Sequence, residues 1–435
     1  MRPLHPFPAR SPGARLRQAA IGMIALALCA LVAGSGTATG QGRVHRSLAH
    51  SHAPFSHPPT DIANVASVIP LGNLNPGGGH VLAVNHMYLS YPVPQSNGAY
   101  AYPVYAMGVG AVVMITRDQT EGRPDPDWEL FIAHGRQLTS YFIHIHVLSS
   151  RLQAYVAAVP DAAWIVAGSA GRVLLPGQLG APPPLPVAAG EQLGVTKSYS
   201  SNWDVGVINA GVATVFEGHG PRRYPAIGDY LQLLGVAAAP PYAGQQTVNA
   251  VCFIDYLRED LRGAWSALLD STPRGGGRAG WDVAGRLRGA WFNPALDTAS
   301  PAPLFEIESA ALSIIPDNHA PTTRIQIGIG AGRPLSALDP TGAYPQLRSP
   351  LVVTVNGAPG ARVNPNPALV SPDTGTVCYD LAYGSFAGSR HNTILFHMVD
   401  ARTVAIKLDP TPYGAPQCAV IPLAEPDATW TTYIR

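Results

Sequence analysis

Tyr141-Phe142-Ile143-His144-Ile145-His146-Val147-Leu148-Ser149 reads as one β-strand. Its β-branched and aromatic residues favour a pleated, half-buried surface, and neither Gly nor Pro interrupts it. Strand side chains alternate, so His144 and His146 share one face and Ile143, Ile145 and Val147 the other. Two imidazoles aimed from one face suit a zinc site or a proton-transfer site. The plainer reading is a half-exposed sheet face carrying two ordinary histidines. Outward from this strand, residues 62–270 alternate short strand-like runs with turns. Residues 102–106 and 110–115 read as a hairpin, and 129–133 as the strand before the histidines. Residues 191–195 and 204–208 continue the sheet beyond the Pro182-Pro183-Pro184 loop. The segment 253–269 differs: Ile254, Leu257, Leu261, Trp265 and Leu268 keep spacings of three and four, the pattern of an amphipathic helix.

Composition supports the β reading. The chain has 435 residues, of which 45 are Gly and 43 Pro, and 46% are apolar. Only 13% are charged, against roughly 25% in ordinary soluble domains, and the formal net charge is +1. Such a field gives no grip on a phosphate backbone, which argues against a nucleic-acid partner.

The N-terminus carries Arg2, Arg10, Arg15 and Arg17, then an uninterrupted run of apolar and small residues over 19–34. That run falls short of the roughly 20 residues of a spanning helix, and small residues follow it. Residues 1–40 therefore read as a signal peptide, cleaved after Ala38 or Gly40. No later stretch reaches spanning length, so the mature chain is expected outside the cytoplasm, either secreted, periplasmic or on the cell surface. Residues 41–60, with His45, His50, His52 and His57 among Ser and Pro, read as a linker. Export places the cysteines in an oxidising compartment. Cys378 and Cys418 lie in the same β-rich region and are the better pair, whereas Cys252 reads as a buried small hydrophobe.

Residues 271–280, with Gly275-Gly276-Gly277, form the clearest linker. Beyond it, 286–292, 304–307, 325–329, 351–355, 377–381, 393–398 and 404–408 read as strands of a sandwich or barrel over 281–435. Gly289-Ala290-Trp291 looks superficially like the Gly-x-Trp strand of small ligand barrels. A Gly-kinked strand with a core Trp explains it as well.

Three stretches carry a family resemblance. Residues 102–115 are similar to the Tyr-Ala, Gly, hydrophobic-strand segment of the lysostaphin-type zinc metalloendopeptidases. Residues 141–149 resemble their Tyr-x-His-Leu-Ser strand, and Ala188-Ala189-Gly190-Glu191-Gln192-Leu193-Gly194 resembles the turn before their final strand. The order and spacing agree over 77–209. The resemblance implies a duplicated-hybrid-motif β domain over 61–270, a zinc cofactor and action on peptidoglycan peptides. It also implies a His-x-x-x-Asp ligand pair, here His86 and Ser90, and a final-strand His-x-His, here Asp204 and Gly206. The histidine of the Tyr-x-His-Leu-Ser stretch, a proton carrier in the family, corresponds to His144 or His146, with His146 favoured because Val147-Leu148-Ser149 follows it.

Two of the three family ligands are thus missing. Zinc catalysis needs about three protein ligands and an open position, and Gly206 has no side chain to offer. A rebuilt set would use His86, His146 and Asp204, with His80 able to substitute if the chain turned back between residues 80 and 86. The sequence favours a mainly β, exported binding protein that keeps the groove without cofactor or catalysis, its partner a cell-wall glycan or peptide. An active zinc metalloendopeptidase is the alternative, and a small-molecule carrier built on the second domain ranks third.

Overall fold

The structure, a computed structural model, describes residues 54–435 apart from 75–79, 93–99, 119–125, 168–170, 179, 198–201, 213–246, 270–276, 295–310, 318–319, 331–350, 383–390 and 414–416. The signal-peptide reading, most of the histidine-containing linker, the strand expected at 304–307 and most of the Gly-rich linker lie outside these residues.

The described strands pair into two antiparallel sheets. The first holds β1 (Ser67–Ile69), β2 (Met87–Ser90), β3 (Tyr100–Tyr105), β4 (Gly110–Asp118), β5 (Asp127–Ala133), β6 (Leu138–Leu148), β7 (Trp164–Ala167), β8 (Gly171–Leu174), β9 (Leu185–Val187), β10 (Gln192–Lys197), β11 (Asn202–Asn209) and β12 (Ala250–Val251). Its spine runs β1-β2-β11-β6-β5-β4-β8-β7, with β10 joining β3 to β6, β9 on β4, and β12 on β11. The mainly β reading holds, but the hairpin expected from 102–115 does not form. Instead β3 pairs with β10 and β4 with β5. The Gly-containing turn between them has no room to fold back as a hairpin, because Gly108 and Gly110 are pressed against Pro54, Phe55 and His134.

One helix, α1 (Ser150–Ala157), follows β6 directly, its first turn capped by the Ser149 hydroxyl accepting from Leu152 N. The helix expected over 253–269 is split. Phe253–Tyr256 forms a 3₁₀ turn and α2 covers Glu259–Ala267. Leu257 and Arg258 leave helical geometry to pair with Phe55, whose carbonyl accepts from Arg258 N at 2.8 Å. The buried face is as the spacing indicated, with Ile254, Leu257 and Trp265 in the core and Leu261 and Leu268 against it. Phe55 is itself fully buried and packs edge-on to His134, so residues 54–60 belong to the fold rather than to a tether. Burying such a side chain stabilises the fold by about 1.5–3 kcal/mol.

The second sheet holds β13 (Gly289–Phe292), β14 (Ala311–Pro316), β15 (Arg324–Ile329), β16 (Leu351–Thr354), β17 (Val377–Ala382), β18 (His391–Asp400), β19 (Thr403–Tyr413) and β20 (Thr431–Ile434), in the order β16-β15-β14-β13-β20-β19-β18-β17. Its two edges approach through the segment after β16, where Asn366 N donates to Asn356 O and Asn364 N to Cys378 O. The sheet is therefore nearly closed into a barrel. Trp291, Tyr379, Phe396 and Tyr433 fill its centre. The Trp291 indole donates to Leu287 O at 2.8 Å, which favours the core-Trp reading of Gly289-Ala290-Trp291. Gly289 has a φ of +134°, a conformation that a residue with a Cβ rarely adopts. Arg435 is buried beneath this strand. Its guanidinium donates to the carbonyls of Val283, Arg286 and Arg288 and lies 3.9 Å from the Trp291 ring centroid.

The expected Cys378–Cys418 disulfide is present, with Cα atoms 5.5 Å apart. Cys252 is free and buried, and burial pushes its thiol up to about 12. Among the described residues no helix is long and apolar enough to cross a membrane.

Candidate functional site

Four neighbouring positions of the first sheet bring together the polar side chains that the sequence spreads over more than a hundred residues. His86 stands immediately before β2, Asp204 lies in β11 opposite Tyr88 and Ile143, His144 in β6, and Asp127 at the start of β5. Because these strands are adjacent in the order β2-β11-β6-β5, the side chains form a row across the sheet.

His144 reaches this row through a bulge. Trp128 and Leu130 of β5 face Ile145 and Phe142 of β6, so β6 carries one extra residue there. His144 absorbs it with a φ of +68°, which a residue with a Cβ seldom adopts. The bulge breaks the alternation expected of the strand. Ile145 joins Phe142 in the main core, whereas Ile143 packs with Tyr141 against a smaller cluster. His144 and His146 are accordingly not twin members of one site. His144 meets Asp127 and Asp204, and His146 lines a recess with Arg117 and Trp128. The histidine that the motif favoured is thus not the one that meets Asp204.

The row has defined proton positions. Asn85 Nδ2 donates to Thr247 Oγ1, leaving Asn85 Oδ1 to accept from His86 Nδ1 at 2.9 Å. Burial pushes the His86 pKa down to about 4, against the pull of Asp204 and with help from the nearby His80 and His144. The His86 Nε2 lies 3.3 Å from Asp204 Oδ2, and this buried nitrogen makes no hydrogen bond. On the other side of Asp204, burial disfavours charge on His144, but hydrogen bonds to Asp127 and Asp204 outweigh it and push the pKa up to about 10. Its Nδ1 donates to Asp127 Oδ2 at 2.7 Å and its Nε2 lies 3.3 Å from Asp204 Oδ2. Burial also opposes ionisation of Asp204, yet its hydrogen bond and charge attraction to His144 hold its carboxyl below the usual range. The row thus runs Asp127, His144, Asp204 and His86, with the His144 ring held between two acidic side chains. His144, 39% exposed at its side chain, is its opening to solvent.

Two further groups extend the row. His80 packs its ring edge-on to His86 with centroids 5.2 Å apart, so the chain does turn back between residues 80 and 86. Glu129, two residues beyond Asp127, accepts from Thr116 Oγ1, and burial pushes its pKa up to about 7. Asp127 and Glu129 were not picked out from the sequence. Their signal was the alternation of acids around Trp128 in a strand next to the histidines.

The two positions where the resemblance implies further ligands hold other chemistry. A Cβ at Gly206 would overlap the Tyr141 ring. Tyr141 is fixed there by its hydroxyl, which lies 3.0 Å from Asn85 O and 3.1 Å from Asn85 Oδ1, and by stacking on Phe131. Ser90 sits in the pairing ladder opposite Ser67 and Asn202. Among the described residues no three His, Cys, Asp or Glu side chains are grouped to hold a metal ion.

No protein-family model matches this chain, and none of the curated proteins does.

Proposed function

We propose that this is an exported, non-catalytic binding protein of the cell envelope or the extracellular space. It would use the groove around His86, Asp204 and His144, on a scaffold similar to that of the lysostaphin-type peptidases, to hold a cell-wall glycan or peptide. The observation that carries the reading is the Tyr141 ring packed against Gly206, where the resemblance implies a histidine ligand. With Ser90 in place of a carboxylate, the arrangement supports polar recognition better than metal hydrolysis. The half-buried His144 imidazolium, with both ring nitrogens engaged by Asp127 and Asp204, orients these two carboxylates as acceptors for ligand hydroxyl or amide groups.

The second reading, a zinc metalloendopeptidase acting on peptidoglycan peptides, is favoured by the buried His86 Nε2 that lacks a hydrogen-bond partner. One experiment separates the two. The full chain, purified untagged and dialysed against a weak chelator, is assayed for zinc, for cosedimentation with purified peptidoglycan, and for release of soluble fragments. Binding without release, weakened about tenfold or more by Asp204→Asn, is the expected result. Stoichiometric zinc with fragment release, both abolished by His86→Ala, would instead establish the hydrolase.

A further inference from the structure

His146, set apart from the row by the bulge at His144, belongs to a different feature. Trp128 follows Asp127 in β5, and successive strand residues point to opposite faces, so Trp128 leaves the row and enters the main core. Around its edge lies a recess of about 310 Å³, lined by Arg117 of β4, His146 and Leu148 of β6, and Gln153 and Val156 of α1, among others. This volume is near the lower end of small-molecule sites, which begin at about 300 Å³.

The lining is chemically one-sided. It includes a guanidinium, an imidazole and a carboxamide, with Val147, Leu148, Val156 and Ala157 supplying apolar wall, and among the described residues no carboxylate. Arg117 lies over the Trp128 ring at 5.3 Å, a contact that holds the planar guanidinium without using its donors. Its Nε is buried and makes no hydrogen bond, and among the described residues no carboxylate pairs with it. Gln153 is committed through Nε2 to Leu148 O at 2.7 Å, which fixes the α1 wall against the end of β6. A half-buried guanidinium beside an apolar wall, with no carboxylate among the described lining residues, is complementary to a carboxylate carrying a hydrocarbon body.

We propose that this recess binds a small organic acid. The carboxylate lies on Arg117, within reach of His146, and the apolar portion packs on Trp128, Leu148 and Val156. The site is separate from the groove of the previous subsection, so either can fail without the other.

The test uses the full chain and isothermal titration with 4-methylpentanoate, its uncharged amide, and a short acetylated peptide ending in a free leucine carboxylate. The acid is expected to bind with a Kd of about 1 mM, and the amide about tenfold more weakly or worse. Arg117→Gln should bring the acid down to the affinity of the amide and leave the amide unchanged. Because the acid-to-amide comparison is made on the unaltered protein, the result does not depend on the variant folding. The peptide shows whether the acid enters as a free molecule or as a chain terminus. Equal affinity for acid and amide, no heat from the acid up to about 50 mM, or an unaltered acid affinity in Arg117→Gln would each overturn the proposal.

Discussion

Tyr141 and Gly206 form the contact on which the binding reading turns, and the contact makes its own prediction. The phenol ring lies where a Cβ at position 206 would have to go, and it is tied by hydroxyl and by stacking, so it has little freedom to withdraw. Gly206→Ala should therefore destabilise the protein by about 1–3 kcal/mol through overpacking, read from urea denaturation midpoints. A neutral effect would mean that the ring moves aside easily and that a ligand at 206 is sterically open. His144 supplies a second test. Its folded pKa of about 10 lies above the ordinary 6.5. It thus contributes stability that is fully present below about pH 6.5 and lost as pH rises through about 10. Asp127→Asn should cost more stability near pH 6.5 than near pH 10, and histidine-labelled NMR should find His144 protonated near pH 8 while His86 stays neutral near pH 6. His144 titrating near 6.5 would dissolve the charged row. At this scale the sequence was partly legible. Motif spacing reached His86, Asp204, His80 and the pair His144 and His146. It could not choose between the two histidines of β6, because alternation assumes a regular strand and a bulge depends on the register of the neighbours.

The same limit governs the elements. Strands with unbroken β-branched and aromatic runs, such as β4, β6, β15 and β18, were readable because local propensity and burial agree there. Pairing partners were not. Residues 102–115 look like a hairpin locally, yet β3 and β4 take partners from distant parts of the chain, and only the assembled sheet decides that. The helix over 253–269 breaks for a similar reason: Arg258 N donates to Phe55 O and Tyr256 O accepts from Phe55 N, a pairing with a residue some two hundred positions earlier. One long-range element was legible, the Cys378–Cys418 bridge, since an expectation of export and a shared β-rich region left few alternatives. It joins β17 to the segment after β19 across a sequence separation of 40. Closing a loop of that length restricts the unfolded chain by about 4 kcal/mol. Reduction, or the double change Cys378→Ala with Cys418→Ala, should lower the stability of the second sheet by about 2–4 kcal/mol, measured by denaturant unfolding with and without reductant. No difference between the two would mean that Asp380, which accepts from Gln417 N and Cys418 N, suffices to hold that segment.

Across the whole molecule, the Gly-rich stretch near residue 275 suggests two β domains, and their two sheets are joined within one compact unit, residues 51–435. The physical reason is a seam built by the segment between β1 and β2. Val81 and Leu82 are buried with Phe292 and Ala311 of the second sheet, and Leu74 and Ala83 with Trp281 and Ile315. Leu74 N is 3.4 Å from Gln326 Oε1, and Gln326 is oriented in turn by donating to Asp317. The segment that closes this seam leads directly to His86, so the second sheet braces one end of the candidate site. Coupling of this kind is measurable. Leu82 is fully buried, and truncating it to Ala should cost about 2–5 kcal/mol. If the seam makes one cooperative unit, that loss appears in both sheets. Hydrogen exchange should then show protection falling together at β6, in the first sheet, and at β18, in the second, and calorimetry should show a single transition that moves to lower temperature. Loss of protection confined to one sheet, or a transition that splits in two, would mean that the sheets fold independently and that the second leaves the site unsupported. In the coupled case, a change at the seam next to the second sheet, such as Trp281→Ala, should also weaken the proposed peptidoglycan binding at the His86–Asp204–His144 row.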